Sequence, residues 1–412
     1  MSNTKKNIRQ ISFNILFCVF YDNKLLNNAI NDEFNINEFA EEDKAFIKRE
    51  CTGVIEKLDD IDTVINKYSK IKTAKLDNDV LVVLRLAIYE LYYMDKVPIF
   101  ASINEAVNLI KKSKNKALSG YVNAILRNIV RKEKINKDNE IPKSDKKCYF
   151  KVFHNKDIDV LNELNEKKIS FAKYNGSLDF KYAKVYYVNK YKDVIDTNCF
   201  DAGDIIIEDA SSVHLVDRLA IYIKECFKNK DISILDTCSS PGGKILSLID
   251  LIRNDISGLY VEARDVSEAK ILKIKENAKR LNITNIVSRV KDAMNYDEKD
   301  KHKYDIVICD VPCTGLGVVN KKPDIKLNYS DKKRDELVKI QQKILDVSKE
   351  YVKTNGLLSY STCTTTNEEN ENNVSCFLDN NINFKKMYEK RINVDDDSLA
   401  DGFYMCIMQK IN

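Results

Sequence analysis

Histidine is scarce in this chain of 412 residues: His154, His214 and His302 make up the whole set, and none of the 11 cysteines falls in a Cys-x-x-Cys pair. Structural zinc spacing is therefore absent, and no metal site is expected. Long apolar runs are missing too. Residues 11–20, behind a basic start, are too short to span a bilayer and carry no small-residue cleavage site, so no membrane partner is expected. An odd number of cysteines cannot all pair internally, and the reading is a soluble, cytoplasmic monomer with reduced thiols. Neither common phosphate motif occurs. There is no G-x-G-x-x-G, and a P-loop would need glycine at 238 and Ser or Thr at 245, where the chain has Cys238 and Ile245. A strong excess of one charge is also lacking. The formal balance is +4 with a pI near 8.3, which permits a nucleic-acid partner without requiring one.

The length exceeds what one core usually holds, so two or three domains are expected. Residues 1–135 read as an all-α bundle. Ile8, Ile11, Ile15, Leu16 and Val19 repeat at helical spacing, as do Val80, Leu81, Leu84, Ile88 and Leu91. Ser102 and Glu105 have capping-box spacing and are expected to open a helix. Cys18, Cys51 and Cys226 fall in helical patterns and are expected to pack. Residues 136–147, rich in lysine and without periodicity, read as a linker. Residues 148–205 suggest a small α+β subdomain, with strands near 149–153 and 184–188 and a helix over 157–168. From 206 to 412 strands and helices alternate, the mark of a doubly wound, Rossmann-like α/β domain.

The chemistry is expected where two strands of that last domain end. Ile306, Val307, Ile308 and Cys309 form a buried-strand run, broken after Asp310 by Pro312 and by glycines at 315 and 317, just where Cys313 emerges. Residues 356–362 form a second strand that delivers Cys363. If the two strands are parallel neighbours, their carboxyl ends share the ligand-binding edge of the sheet. An earlier strand, 232–235, leads into the loop Asp236, Thr237, Cys238, Ser239, Ser240, Pro241, Gly242, Gly243 and the helix from Lys244. A glycine pair lets a ligand approach the backbone, and a helix N-terminus favours a carboxylate. Asp265 follows the glycines by about twenty residues, the spacing of a ribose ligand, with Glu262 a weaker competitor. A third strand, 286–290, ends at Asp292. These loop ends suit a nucleoside without a pyrophosphate, and S-adenosylmethionine fits.

Taken together, 236–244 resembles the cofactor loop D-x-C-A-x-P-G-G-K, 310–317 resembles D-A-P-C-S-G-x-G, 360–363 resembles Y-S-T-C, and 401–404 resembles a terminal D-G-F-F. These motifs resemble the RNA cytosine-5 methyltransferases. The first third, including 84–91, 103–107 and 121–127, resembles the NusB-like helical domain of bacterial RNA-binding proteins, with Arg127 and Arg131 as possible phosphate contacts. The combination resembles the bacterial family that methylates small-subunit (16S) ribosomal RNA.

The resemblance implies S-adenosylmethionine as cofactor, held by Cys238, Ser239, Ser240, Pro241, Gly242, Gly243, Lys244, Asp265, Asp292 and Asp310. It implies Cys363 as the nucleophile on cytosine C6, Cys313 in the release step and Asp310 on the cytosine edge. A lysine, with Lys244 the candidate, would activate Cys363. The chain departs from the family at Ser239 and Ile245, at Asn320-Lys321-Lys322 where arginines are usual, at Lys151 where arginine is typical, and at Asn367 in place of proline. Glu368, Glu369 and Asn370 remain. Helices usual between the bundle and the subdomain are missing. The competing readings are an RNA-binding or ribosome-assembly factor with little or no turnover, and a cytosine-5 methyltransferase acting on transfer RNA.

Overall fold

The computed structural model describes residues 7–133, 135, 147–393 and 400–411; the expected linker, 136–147, lies outside them apart from Lys147. The chain divides into two units, Met1–Ser144 with Lys322–Asn328, and Asp145–Lys321 with Tyr329–Asn412.

The first unit is helical: α1 (Ile8–Tyr21), α2 (Leu26–Ile36), α3 (Glu41–Glu56), α4 (Leu58–Tyr68), α5 (Asn78–Tyr93), α6 (Ile99–Lys112) and α7 (Ser119–Glu133). The helical-period residues Ile15, Leu16, Val80, Leu84, Ile88 and Ile129 join one apolar core. α5 is buried nearly all round, and its charged side chains are paired: Arg85 donates to both oxygens of Asp62 at 2.8 and 2.7 Å, and Glu90 accepts from Arg9 at 2.5 Å. Asp324 belongs to this unit and accepts the Leu26 N–H at 2.9 Å, at the start of α2. The expected cap at Ser102 is not found. Pro98, with its fixed φ, starts α6 one turn earlier, so Ser102 lies inside the helix and is buried. Arg127 and Arg131 are exposed and bond Asn123 and Asn128 of their own helix.

The second unit holds two sheets. The smaller, in the order β2-β3-β1-β4, is antiparallel and comprises β1 (Cys148–Val152), β2 (Phe171–Lys173), β3 (Val185–Val188) and β4 (Ile205–Ile207), with α8 (Asp157–Glu166), α9 (Tyr191–Ile195) and α10 (Asn198–Asp201) between strands. Lys151 is wholly buried in it, donating to Asp250 at 2.6 Å with its ammonium 3.8 Å from the Phe153 ring centroid. That lysine is therefore structural rather than presented to a ligand. α11 (Ala210–Cys226) follows, capped by Asp209, and its last residue, Cys226, is exposed rather than packed because the helix ends there.

The larger sheet has seven strands, β10-β11-β9-β8-β5-β6-β7. In chain order these are β5 (Asp231–Asp236), α12 (Gly243–Ile252), β6 (Gly258–Asp265), α13 (Glu268–Arg280), β7 (Ile286–Val290), β8 (Tyr304–Asp310), α14 (Ile325–Asn328, grouped with the first unit), α15 (Asp331–Tyr351), β9 (Val352–Thr362), α16 (Glu371–Asn380), β10 (Phe384–Ile392) and β11 (Phe403–Lys410). β7, β6, β5, β8 and β9 are parallel, and β11 returns antiparallel beside β9. Ile306, Val307, Ile308 and Cys309 of β8 are all buried, as a central parallel strand requires. The chain runs outward from β5 to β7 and then returns to β8. The switch point thus lies between β5 and β8, where open α/β sheets bind ligands. Among the described residues, no helix is long and apolar enough to cross a membrane, and no cluster of metal-ligating side chains occurs.

Candidate functional site

Strand register brings the predicted residues to one edge. Asp310 is paired with Ser361 across the parallel β8–β9 ladder, so the chains leave the sheet side by side, and Cys313 and Cys363 follow within a few residues. Their sulfurs lie 3.1 Å apart. Asp310 accepts from Ser361 Oγ at 2.7 Å on one oxygen and from Lys244 Nζ at 2.7 Å on the other. Both oxygens are thus taken by donors. Ser361 went unremarked in the sequence; the two-residue alternation along β9, which turns Ser361 and Cys363 the same way, was the available signal.

Lys244 stands in the first turn of α12. Burial lowers the proton affinity of its ammonium, but Asp310 and then Glu208 outweigh this and raise it above the ordinary lysine value. Lys244 is therefore a held cation and not a proton acceptor. Glu208, absent from the sequence-based candidates, accepts from Ser247 at 2.7 Å, and burial raises its carboxyl. The Cys313 thiol is raised well above its usual value, first by its hydrogen bond with Cys363 and then by burial and by the neighbouring charges of Cys363 and Glu369. Either sulfur can be the donor in that contact.

The β5 loop forms a second wall. Thr237 N–H and Oγ1 both donate to the Ile308 carbonyl, at 3.0 and 3.1 Å, tying the loop to β8. Ser239 N–H donates to the Arg264 carbonyl at 2.9 Å, and Ser240 N–H to Asp265 at 3.0 Å, before a cis Ser240–Pro241 bond. Gly242, at φ +98°, makes the left-handed turn that starts α12, a conformation side chains resist. Burial pushes the Asp236 carboxyl up to about 7 and drives the Cys238 thiol well up, so Cys238 lines the loop as an unreactive thiol. Ile245 is buried in the core beneath.

Asp265 ends β6 and is buried, with its carboxylate bonded to Ser240 N–H, Val266 N–H at 2.8 Å and Lys270 at 2.9 Å. Asp292 is half-buried past β7 and accepts Met294 N–H at 2.9 Å. Glu262 points away into a buried network with Arg264 at 2.7 Å and the Tyr304 hydroxyl at 3.0 Å, so it does not compete for a ligand at this edge. A left-handed glycine, a helix N-terminus and two acidic strand ends form a donor and acceptor set that fits an amino-acid tail and a ribose.

Loops carrying the two thiols are fastened to each other. Gly317 N–H donates to the Cys363 carbonyl at 3.0 Å, and Gly402 N–H to the Gly317 carbonyl at 2.9 Å. Lys321 bonds Asp209 at 2.6 Å and Asp401 at 2.7 Å. Lys321 thus serves as an internal strut.

Residues 226–404 match the family model of the 16S rRNA methyltransferase RsmB/F, and residues 6–131 match the NusB family. The probable ribosomal RNA small subunit methyltransferase B of Bacillus subtilis (strain 168) is 26% identical over 454 aligned positions, covering 98% of this chain and 99% of that protein. Among solved structures, that of PH0851 superposes with a TM-score of 0.72 at 20% identity over 99% of this chain and 100% of that one. NSun6 from Pyrococcus horikoshii, solved with SFG, gives a TM-score of 0.53 at 17% identity over 74% and 97% of the two chains. At these identities the two structures establish the fold.

Proposed function

We propose, for a chain that joins a NusB-family domain to an RsmB/F-family RNA methyltransferase domain, that it methylates C5 of a cytosine in 16S ribosomal RNA through a covalent Cys363–C6 adduct. The observation that carries the reading is the 3.1 Å approach of Cys313 and Cys363 beside an Asp310 held by Lys244. Cytosine C5 is a weak nucleophile. Addition of the Cys363 thiolate to C6 forms a carbon–sulfur bond and moves the ring electrons toward C5 and N3. S-Adenosylmethionine, when bound against residues 238–244, Asp265, Asp292 and Asp310, supplies an electrophilic methyl group.

Asp310 faces the N3 edge and bonds it through a proton held between them, while the Lys244 cation beside it balances the negative charge that gathers there. Once C5 carries the methyl, its proton leaves toward the Cys313 side, the electron pair reforms the C5–C6 bond, and the Cys363–C6 bond breaks. The 3.1 Å approach of its sulfur to Cys363 supports Cys313 in that step. The NusB-like unit serves to hold the RNA.

Cys363→Ala is expected to abolish label transfer from S-adenosylmethionine to unmethylated 16S RNA. Cys313→Ala is expected to accumulate a protein–RNA adduct on a denaturing gel. Wild-type transfer by Cys363→Ala, or RNA binding by the wild-type chain without any transfer, overturns the reading.

A further inference from the structure

Glu369 is wholly buried, and no cation reaches its carboxylate among the ion pairs of the described residues. Every group that touches it is a donor. One oxygen accepts the Thr314 N–H at 2.9 Å and Gln341 Nε2 at 3.0 Å; the other accepts the Thr314 hydroxyl at 2.6 Å and the Thr366 hydroxyl at 2.8 Å. Thr314 follows Cys313 directly, and Thr366 lies three residues past Cys363. Gln341 on α15 also donates to the Pro312 carbonyl at 2.9 Å, on the other side of Cys313. The two loops are closed further by a 2.7 Å bond between the Thr314 and Thr364 hydroxyls. Next in sequence, Asn370 accepts from Thr362 at 2.6 Å and donates to the Thr364 carbonyl at 3.1 Å, bracketing Cys363.

A buried carboxylate is costly unless its lone pairs are filled. Here they are filled only while both loops are in place, since Thr314 of the Cys313 loop gives two of the four donors and Thr366 of the Cys363 loop gives a third. We propose that Glu369 is a positioning residue for both thiols: a buried acceptor that holds the Cys313 and Cys363 loops in register and sets the sulfur–sulfur approach on which the reaction depends. The inference rests on the methyl-transfer reading, but its geometry can be measured without RNA.

Oxidation by a diazenedicarboxamide converts two adjacent thiols to a disulfide while the reagent is reduced to the hydrazine, so its rate reports how often the sulfurs meet. Wild-type protein is expected to form the Cys313–Cys363 disulfide rapidly, mapped by peptide mass. Glu369→Ala should slow it at least about tenfold and lower kcat by about 10–100-fold, with KM for S-adenosylmethionine within about twofold, because the cofactor loop is untouched. Glu369→Gln can present its amide to the two hydroxyls and its oxygen to the two N–H donors, so it should recover most of both rates. Glu369→Asp, one methylene short, should not.

Cross-linking at the wild-type rate by folded Glu369→Ala overturns the proposal. If that variant does not fold, Glu369→Asp carries the test, and wild-type values of both rates for it do the same. A wild-type protein that transfers no methyl but shows the ordered series of cross-linking rates keeps the positioning role and loses the reaction. A wild-type pair that never cross-links removes both.

Discussion

Gly317→Ala should disable the enzyme through geometry alone, because Gly317 has no side-chain chemistry. A Cβ at this position would stand 2.0 Å from the Gly402 carbonyl oxygen and 2.9 Å from that of Cys363. An ordinary contact needs roughly 3.5 Å, so one of the flanking segments must retreat by more than about 1 Å. Neither neighbour is the flexible end of a side chain; both are backbone. The retreat pulls on two hydrogen bonds, Gly317 N–H to Cys363 at 3.0 Å and Gly402 N–H to Gly317 at 2.9 Å. At about 1 kcal/mol each, with about 1–3 kcal/mol for overpacking, the variant should lose about 3–5 kcal/mol.

Displacement of a nucleophile by about 1 Å costs on the order of 100-fold in rate. Thermal unfolding and single-turnover methyl transfer at saturating S-adenosylmethionine measure the two effects separately. Gly120→Ala is the matched control, since nothing lies within 4 Å of its added carbon in α7 and helix propensity should improve. A Gly317→Ala protein with wild-type melting and wild-type turnover would refute the argument that backbone contact at 317 and 402 fixes Cys363.

Lys244→Gln removes the cation between Asp310, Glu208 and Cys363 and should slow iodoacetamide alkylation of Cys363 at neutral pH about tenfold; an unchanged rate would exclude Lys244 as the activating charge. His214 Nδ1–H donates to the Asp179 carbonyl and its Nε2 accepts from the Tyr388 hydroxyl, and burial, then Lys390 and Arg218, pushes its proton affinity down to about 4. The folded state stays neutral where the unfolded chain takes up a proton, so stability should fall as pH drops from about 6.5 to about 4, by up to about 3 kcal/mol. Denaturant midpoints measured over that range should slope less in His214→Gln, and parallel slopes would count against the burial argument.

Legibility in the sequence followed the range of the signal. β8 and the bundle helices rest on local periodicity, and the runs at 304–310 and 78–93 settled almost where the pattern put them. β10 carried no such mark: its sequence FKKMYEKRI is mostly half-exposed, and what makes it a strand is pairing with β11. The same holds for β4, three residues that are a strand because β1 lies beside them. At the site, cysteines and glycines announced themselves by motif. Ser361, Glu208 and Gln341 did not, because their importance lies in contacts 28 to 51 positions away. Ser102 failed in the opposite sense: its local spacing was right for a cap, and the proline before it decided the helix start.

Two chemically identical thiols, 3.1 Å apart, must carry different protonation states if one is to attack and the other to stay behind. Sequence motifs do not explain how the difference arises, but the charges around the pair do. Cys363 and Lys244 interact favourably, which raises the lysine and steadies a negative sulfur at 363. On the other side the Glu369 carboxylate raises Cys313 and steadies a neutral one. The hydrogen bond between the sulfurs needs one donor and one acceptor, and both neighbours favour Cys313 as the donor. On the proposed reading these two neighbours assign attack to Cys363 and release to Cys313 before any RNA arrives.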